Sequence, residues 1–306
     1  LEFRRVLFRS WIFWINLPIG LLGMVFAHRF LPKIREEEVP PFDGIGFVLS
    51  AVALSALVFA FETVGRDVVS PAVDLAVTAF GLVLGWAYLA HARRHAHPLI
   101  DVALLRLSTF SAAVWGGSLF RIGVGALPFL LPLQLQLGFG RSALESGLTT
   151  FVAAIGAIAM KLTAAPIISR FGFRTTLVAD AVIAGAFIAG LSLVGTATPV
   201  WLLMLVLLAG GFFRSLEFTA INVVAFCEVD EAKMSRATAF SAMMQQLSLS
   251  SGVALGALAL HLLGAGDTAA PPPAWAFQIA FALVGDRKST RLNSSHTDIS
   301  RMPSSA

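Results

Sequence analysis

Apolar residues along this chain come in blocks of about twenty, separated by short polar stretches. An α-helix rises 1.5 Å per residue, so ~20 apolar residues cover the ~30 Å hydrocarbon core of a bilayer. Eight full blocks fall near 11–31, 43–64, 71–91, 109–133, 146–168, 174–195, 199–221 and 238–263, and a ninth, 274–285, is cut short. None alternates polar and apolar positions over the ~10 residues of a barrel strand, which argues against a β-barrel. The pattern predicts an all-α protein, a polytopic transmembrane helix bundle of eight complete spans plus one truncated span.

Composition supports this reading. Of 306 residues, 57% are hydrophobic and 13% charged, with a mean hydropathy of +0.81; a soluble domain carries about 25% charged residues. The net charge of +4 would suit nucleic acid in a soluble protein, but here the basic residues sit in short loops between apolar blocks and no nucleic-acid partner is expected. With Trp11 outside and the spans alternating, the inner loops receive Arg29, Lys33, Arg35, Arg93, Arg94, Arg106, Arg170, Arg174, Lys233 and Arg236, the outer loops only Arg66 and Arg141. That bias is the positive-inside signature, and a missed helix would scramble it. The one cysteine, Cys227, excludes an intrachain disulfide.

Both ends are expected to be non-native. Residues 1–10 lack an initiating methionine, and the polar run 286–306 replaces an apolar block in mid-helix. Half a span cannot satisfy its backbone in lipid, so the chain is expected to be a fragment. No cleavable signal peptide is expected, because no soluble domain follows the first block. Pro40, Pro41 and the acidic run Glu36–Glu38 form one inner connection. Small residues recur at helical spacing, Ala181, Gly185 and Ala189 in one span and Ser248, Gly252 and Gly256 in another; such faces let helices approach closely in lipid.

Ionisable groups inside spans cost about 2.5–3.5 kcal/mol each on insertion scales, so each needs a reason. Arg121 stands mid-span and should face the bundle interior, against a carboxylate, carbonyls or a substrate. A cavity role and a structural ion pair both fit. Pro128 and Pro132 follow, and are expected to kink the helix or free carbonyls along a cavity wall. A second cluster, Arg214, Glu217, Thr219 and Asn222, lies within a few helical turns. Arg214 and Glu217 can pair along one face; Glu217 is either a protonatable site or a silent partner of Arg214 or Arg121. Gln134, Gln136, Gln245 and Gln246 suit hydrogen bonds to a substrate or between helices. Lys161 is expected to snorkel to the inner surface, Asp180 to meet a loop arginine and Glu62 to reach outer water. His91 and His95 have metal-ligand spacing, but no carboxylate completes a tight motif. With His97 they are expected to form a basic interfacial cluster, and no metal is expected. No phosphate loop, nucleophile elbow or paired-cysteine site is present, so an enzyme is not expected.

The run Trp11-Ile12-Phe13-Trp14-Ile15-Asn16-Leu17-Pro18-Ile19-Gly20 resembles the junction of the fifth and sixth helices in fourteen-helix drug:proton antiporters of the major facilitator superfamily. Phe42-Asp43-Gly44-Ile45-Gly46 resembles the start of their seventh helix. Arg121-Ile122-Gly123, Leu127-Pro128-Phe129, Gly147-Leu148, Met160-Lys161, Arg170-Phe171-Gly172-Phe173-Arg174 and the segment 213–222 continue in the family's order, closest to its MdtD-like multidrug-resistance branch. The resemblance covers about 11–285 and implies a bundle of the major facilitator type. Residues 11–31 would be the last helix of the N-terminal half, 43–91 two inserted linker helices, and 109–285 a truncated C-terminal half. Arg170, Gly172 and Arg174 resemble the cytoplasmic gating motif. Helices one to five, which carry the antiporter motif, have no counterpart here.

The resemblance implies a multi-pass protein of the bacterial inner membrane that exports drugs or other amphipathic compounds by alternating access. It would be driven by the proton gradient with no cofactor. Small-molecule substrates, protons and the lipid bilayer are the expected partners, and a monomer the expected state. Arg121, Arg214, Glu217, Asn222 and Gln134 are the candidates for the substrate and proton pathway. A major-facilitator transporter of one metabolite and a non-transporting scaffold or sensor are the alternatives.

Overall fold

An apolar block in lipid must close its own backbone hydrogen bonds, and an α-helix does so within one segment. In a computed structural model the blocks are helical. The structure describes residues 14, 16–30, 41–66, 68–265 and 276–281. The expected leader 1–10, most of the aromatic run at 11–15, the acidic run Glu36–Glu38 and the tail 286–306 lie outside the described residues.

The helices are α1 (Asn16–Phe30), α2 (Gly44–Thr63), α3 (Pro71–Ala92), α4 (Ser108–Gly125), α5 (Leu127–Leu133), α6 (Ala143–Phe171), α7 (Phe173–Gly190), α8 (Val200–Phe226) and α9 (Met234–Leu260). A further helical stretch is described at 276–281. There is no strand among the described residues. Among the described residues, seven helical stretches are long and apolar enough to cross a membrane: Gly44–Thr63, Pro71–Ala92, Ser108–Gly138, Ala143–Phe171, Thr175–Leu193, Val200–Phe226 and Glu231–Leu263. They correspond to seven of the eight expected full spans; the first is described only as the 15 residues of α1.

The chain divides into two compact units, Leu1–Pro41 and Phe42–Ala306. In the first, α1 is a single exposed helix. The second holds the remaining described elements. There, several helices outrun their apolar blocks. α8 continues to Phe226 and α9 starts at Met234, because a helix leaving hydrocarbon still gains one backbone bond per residue while polar side chains reach water. α6 opens on a capping box: Ser142 Oγ accepts from the Glu145 N–H (3.3 Å) and Glu145 Oε2 from the Ser142 N–H (2.9 Å). It ends at Gly172, whose φ of 76° is a conformation that side chains with a Cβ rarely adopt. The block expected at 109–133 is broken at Ala126, where α4 gives way to α5, and a π-turn, Gln134–Gly138, follows. Pro128 and Pro132 lack the N–H groups that would continue the ladder, in keeping with the break at Ala126.

Two helix pairs are joined through glycine. A Cβ on Gly156 of α6 would overlap the Leu208 carbonyl of α8, and one on Gly211 of α8 would overlap the Ala153 carbonyl of α6. Gly125 of α4 and Gly252 of α9 stand in the same reciprocal relation, against the carbonyls of Leu249 and Ile122. The small face Ser248, Gly252 and Gly256 on α9 is buried as expected. On α7 the buried stripe is Ala181, Ala184 and Ile188, with Gly185 and Ala189 half-buried beside it. α7 packs on α8, α4 touches α8, and α2 lies between α3 and α9.

Polar ties sort into two layers, as alternating spans require. At the inner layer Thr109 Oγ1 donates to Glu228 Oε2 (2.7 Å), and Arg236 Nη2 meets His97 Nδ1 (3.2 Å). At the outer layer Thr63 Oγ1 donates to Asp74 Oδ1 (2.6 Å), Gln134 Nε2 and Gln278 Nε2 both donate to the Val194 carbonyl (3.4 and 3.3 Å), and the Arg66 guanidinium lies 5.3 Å from the Phe129 ring centroid.

Candidate functional site

Arg121 is carried by the last part of α4, in the middle of the stretch Ser108–Gly138, and is 1% exposed. Its guanidinium folds back over Gly117, one turn earlier, where a Cβ would come within 2.6 Å of Nη1. Nη2 donates to Asn222 Oδ1 of α8 at 3.4 Å. The guanidinium carbon lies 5.6 Å from the ring centroid of Phe218, itself edge-on to Phe120 at 5.4 Å. The buried charge is thus held by an amide dipole and an aromatic face, each attractive to a cation in a low-dielectric setting. Asn222 is half-buried and Phe218 lies one turn before it on α8. Glu217, on the same helix, is buried as well.

A cavity of about 310 Å³ is bounded by α5, α6, α7 and α8; Arg121, Phe218, Glu217 and Asn222 are not in its lining. Its walls include Pro128, Leu131, Phe187 and Gly211; Thr150 contributes a hydroxyl, and Arg214 is the one charged residue in its described lining. The break at Ala126 sets Leu127 and Pro128 on this wall. Ala153 and Gly211, which form the close α6–α8 contact, also line the cavity. An apolar chamber with a single guanidinium suits a solute with an apolar body and a hydrogen-bond-accepting or anionic end.

Of the residues singled out from sequence, Arg121 and Asn222 touch, Glu217 is buried on the same helix as Asn222, and Arg214 turns into the cavity. Gln134 is fully buried away from that lining, with its amide on the Val194 carbonyl. The Arg170 guanidinium carbon lies 6.0 Å from the ring centroid of its neighbour Phe171, Gly172 forms the turn, and the side chain of Arg174 lies outside the described residues. Lys161 Nζ donates to Thr219 Oγ1 of α8 at 3.1 Å. Gly117 and Phe218 were not singled out from sequence, although Gly117 stands one turn before Arg121 and Phe218 one turn before Asn222. The expectation that no carboxylate completes a motif with the histidines needs correction. Asp43, 48 positions before His91, places Oδ1 2.8 Å from His91 Nε2.

A family model described as Major Facilitator Superfamily matches residues 8–253. A protein of Pectobacterium atrosepticum named "Putative multidrug resistance protein MdtD" is 32% identical over 260 residues, 85% of this chain and 56% of the relative. Proteins of the same name from Escherichia fergusonii and Salmonella heidelberg are 33% and 32% identical over 256 residues, 83% of this chain and 54% of each relative. The chain spans about half the length of the curated relatives it matches.

Proposed function

Because the chain belongs to the major facilitator superfamily, we propose that the whole protein is a proton-driven exporter of drugs or other amphipathic compounds that works by alternating access. The chain is a multi-pass membrane protein, and its relatives place it in a bacterial inner membrane. In this reading it supplies the last helix of one transporter half (α1), the inserted pair (α2 and α3) and most of the second half (α4 to α9). Two helical halves then rock about a site near the bilayer midplane. Substrate meets Arg214 and the apolar walls around it, while Arg121, held by Asn222 and Phe218, presents a fixed positive charge to the centre. Glu217 is the carboxyl nearest this group in the sequence of α8 and the candidate to exchange a proton. Arg170, Gly172 and Arg174 form the inner turn that latches the halves. The protein works as a monomer, without a cofactor and without catalysing a covalent reaction.

The observation that carries this reading is the apolar cavity with one guanidinium, in a bundle that also buries an arginine in mid-span. The relatives' name, multidrug resistance, agrees with a chamber whose specificity rests on shape and one charge. The test uses the whole protein in proteoliposomes with an imposed proton gradient. Efflux of a lipophilic dye should be gradient-dependent, and Arg121→Gln, Arg214→Gln and Glu217→Gln should each slow it at least about tenfold, equivalent to ~1.4 kcal/mol of lost transition-state stabilisation. Full activity in all three variants would remove the site. Transport of a single polar metabolite with no dye efflux would replace the drug reading.

A further inference from the structure

The inner end of the α2–α3 pair carries a group of side chains that transport does not use. Asp43 precedes α2, His91 lies in the last turn of α3, and His95 follows α3. One ligand atom from each, a carboxylate oxygen and two ring nitrogens, lies within 4.8 Å of the others. The imidazoles are 5.1 Å apart between centroids and inclined by 32°. Two imidazoles and a carboxylate are a borderline-soft donor set, of the kind that Zn²⁺ accepts in three-ligand sites with an open fourth position.

A second observation points to a ligand. The Asp43 carboxylate is 5% exposed. Oδ1 accepts from the Gly46 N–H (2.8 Å) and faces His91 Nε2 (2.8 Å), but Oδ2 has no hydrogen-bond partner among the described residues although it is buried. A buried charged acceptor left unmatched costs on the order of 1–3 kcal/mol or more. Position 46 admits this carboxylate only as glycine, since a Cβ there would overlap it. Burial pushes the carboxyl upward, but the Gly46 N–H and the two histidines outweigh it and hold the group below its ordinary 3.8.

We propose that Asp43, His91 and His95 form a site for a divalent transition ion of the Zn²⁺ type, clamping the start of α2 to the end of α3 at the inner face. A tetrahedral Zn²⁺ with bonds of about 2.0–2.1 Å holds its ligand atoms roughly 3.3 Å apart, so the three must close by up to ~1.5 Å. His95, beyond the end of α3, has the freedom to do this. The His91 hydrogen bond to Oδ1 gives way to the metal bond, and the proton leaves to solvent. Water takes the fourth position, because His91 retains 21% side-chain exposure while Asp43 is enclosed at 2%.

The test uses the chain in detergent, prepared without a histidine tag and with Cys227→Ser to remove its one thiol. Zn²⁺ is titrated against a chromophoric chelator, and Co²⁺ reports geometry by its visible absorption. We expect one Zn²⁺ per chain and a strong tetrahedral Co²⁺ spectrum. Loss of an outer-shell partner weakens metal sites about 10–100-fold, so His95→Ala, which leaves the Asp43 cap in place, should weaken binding by more than ~100-fold, as should Asp43→Asn. His97→Ala should shift it less than about threefold. No stoichiometric Zn²⁺ in the wild type overturns the proposal. So does binding that survives His95→Ala, or binding lost equally in His97→Ala.

Discussion

Replacing Gly156 by alanine tests whether the α6–α8 contact is set by backbone approach. The added Cβ would overlap the Leu208 carbonyl and come within 3.0 Å of the Phe212 nitrogen. Neither neighbour is a side chain that can rotate away, so the helices must separate by on the order of 1 Å, with overpacking of about 1–3 kcal/mol. Alanine also gains about 0.8–1.0 kcal/mol of helix propensity over glycine. The net expectation is a loss of roughly 0.5–2 kcal/mol. Gly147, on the same helix, is the internal control, because a Cβ there meets nothing within 4 Å. Gly147→Ala should keep the full propensity gain. Unfolding in mixed detergent micelles titrated with SDS, followed by tryptophan fluorescence and helical circular dichroism, measures both variants against the parent. If Gly156→Ala were as stable as Gly147→Ala, the close contact would not be what holds these helices.

Thr109→Val removes the donor to Glu228 that joins α4 to the end of α8, and should lower stability by about 1–2 kcal/mol in the same assay. Ser142→Ala breaks the capping box of α6 and should lower it by about 0.5–2 kcal/mol. With a chelator present, the stability difference between the parent and Asp43→Asn should shrink as pH falls below the ordinary carboxyl value, because the Gly46 N–H and the two histidines hold the folded carboxyl lower and its contribution is lost through the folded titration; a difference that kept growing through that acid range would contradict this.

The membrane-spanning helices were legible because one simple quantity, apolar run length, decides them. The breaks were partly legible: Pro128 and Pro132 marked the break, but nothing in the apolar block at 109–133 announced the π-turn that follows at Gln134–Gly138. Helix ends were misplaced wherever a helix runs on into water, as at Phe226 and Met234. For the site, Arg121 and Asn222 stood out as polar groups in apolar surroundings, and the fold joins them across 101 positions. Phe218 did not stand out, since one phenylalanine among 25 carries no mark of its role. The Lys161 bond to Thr219 was not legible, because distance along a helix to the surface says nothing about a hydroxyl on another helix. Asp43 was missed as a partner of His91 for the same reason: their proximity exists only after α2 and α3 pack antiparallel.

The glycine contacts divide this half-bundle mechanically. α6 and α8 behave as one stiff leaf, with α7 laid on α8, and α4 and α9 as a second, with α2 against it. Within each leaf the backbones touch, so sliding would drive carbonyls into Cα atoms. The leaves meet where α4 faces α8; at the inner end Thr109 ties to Glu228, and deeper in the contact is made by the long Arg121 bond to Asn222 and by Phe120 against Phe218. A 3.4 Å hydrogen bond and two edge-on rings can be re-formed after a small rotation, which interlocked glycines cannot. Any bending inside this half should therefore run along a hinge line that has a buried positive charge as its pin, so that a change in charge at the centre alters how freely the leaves turn.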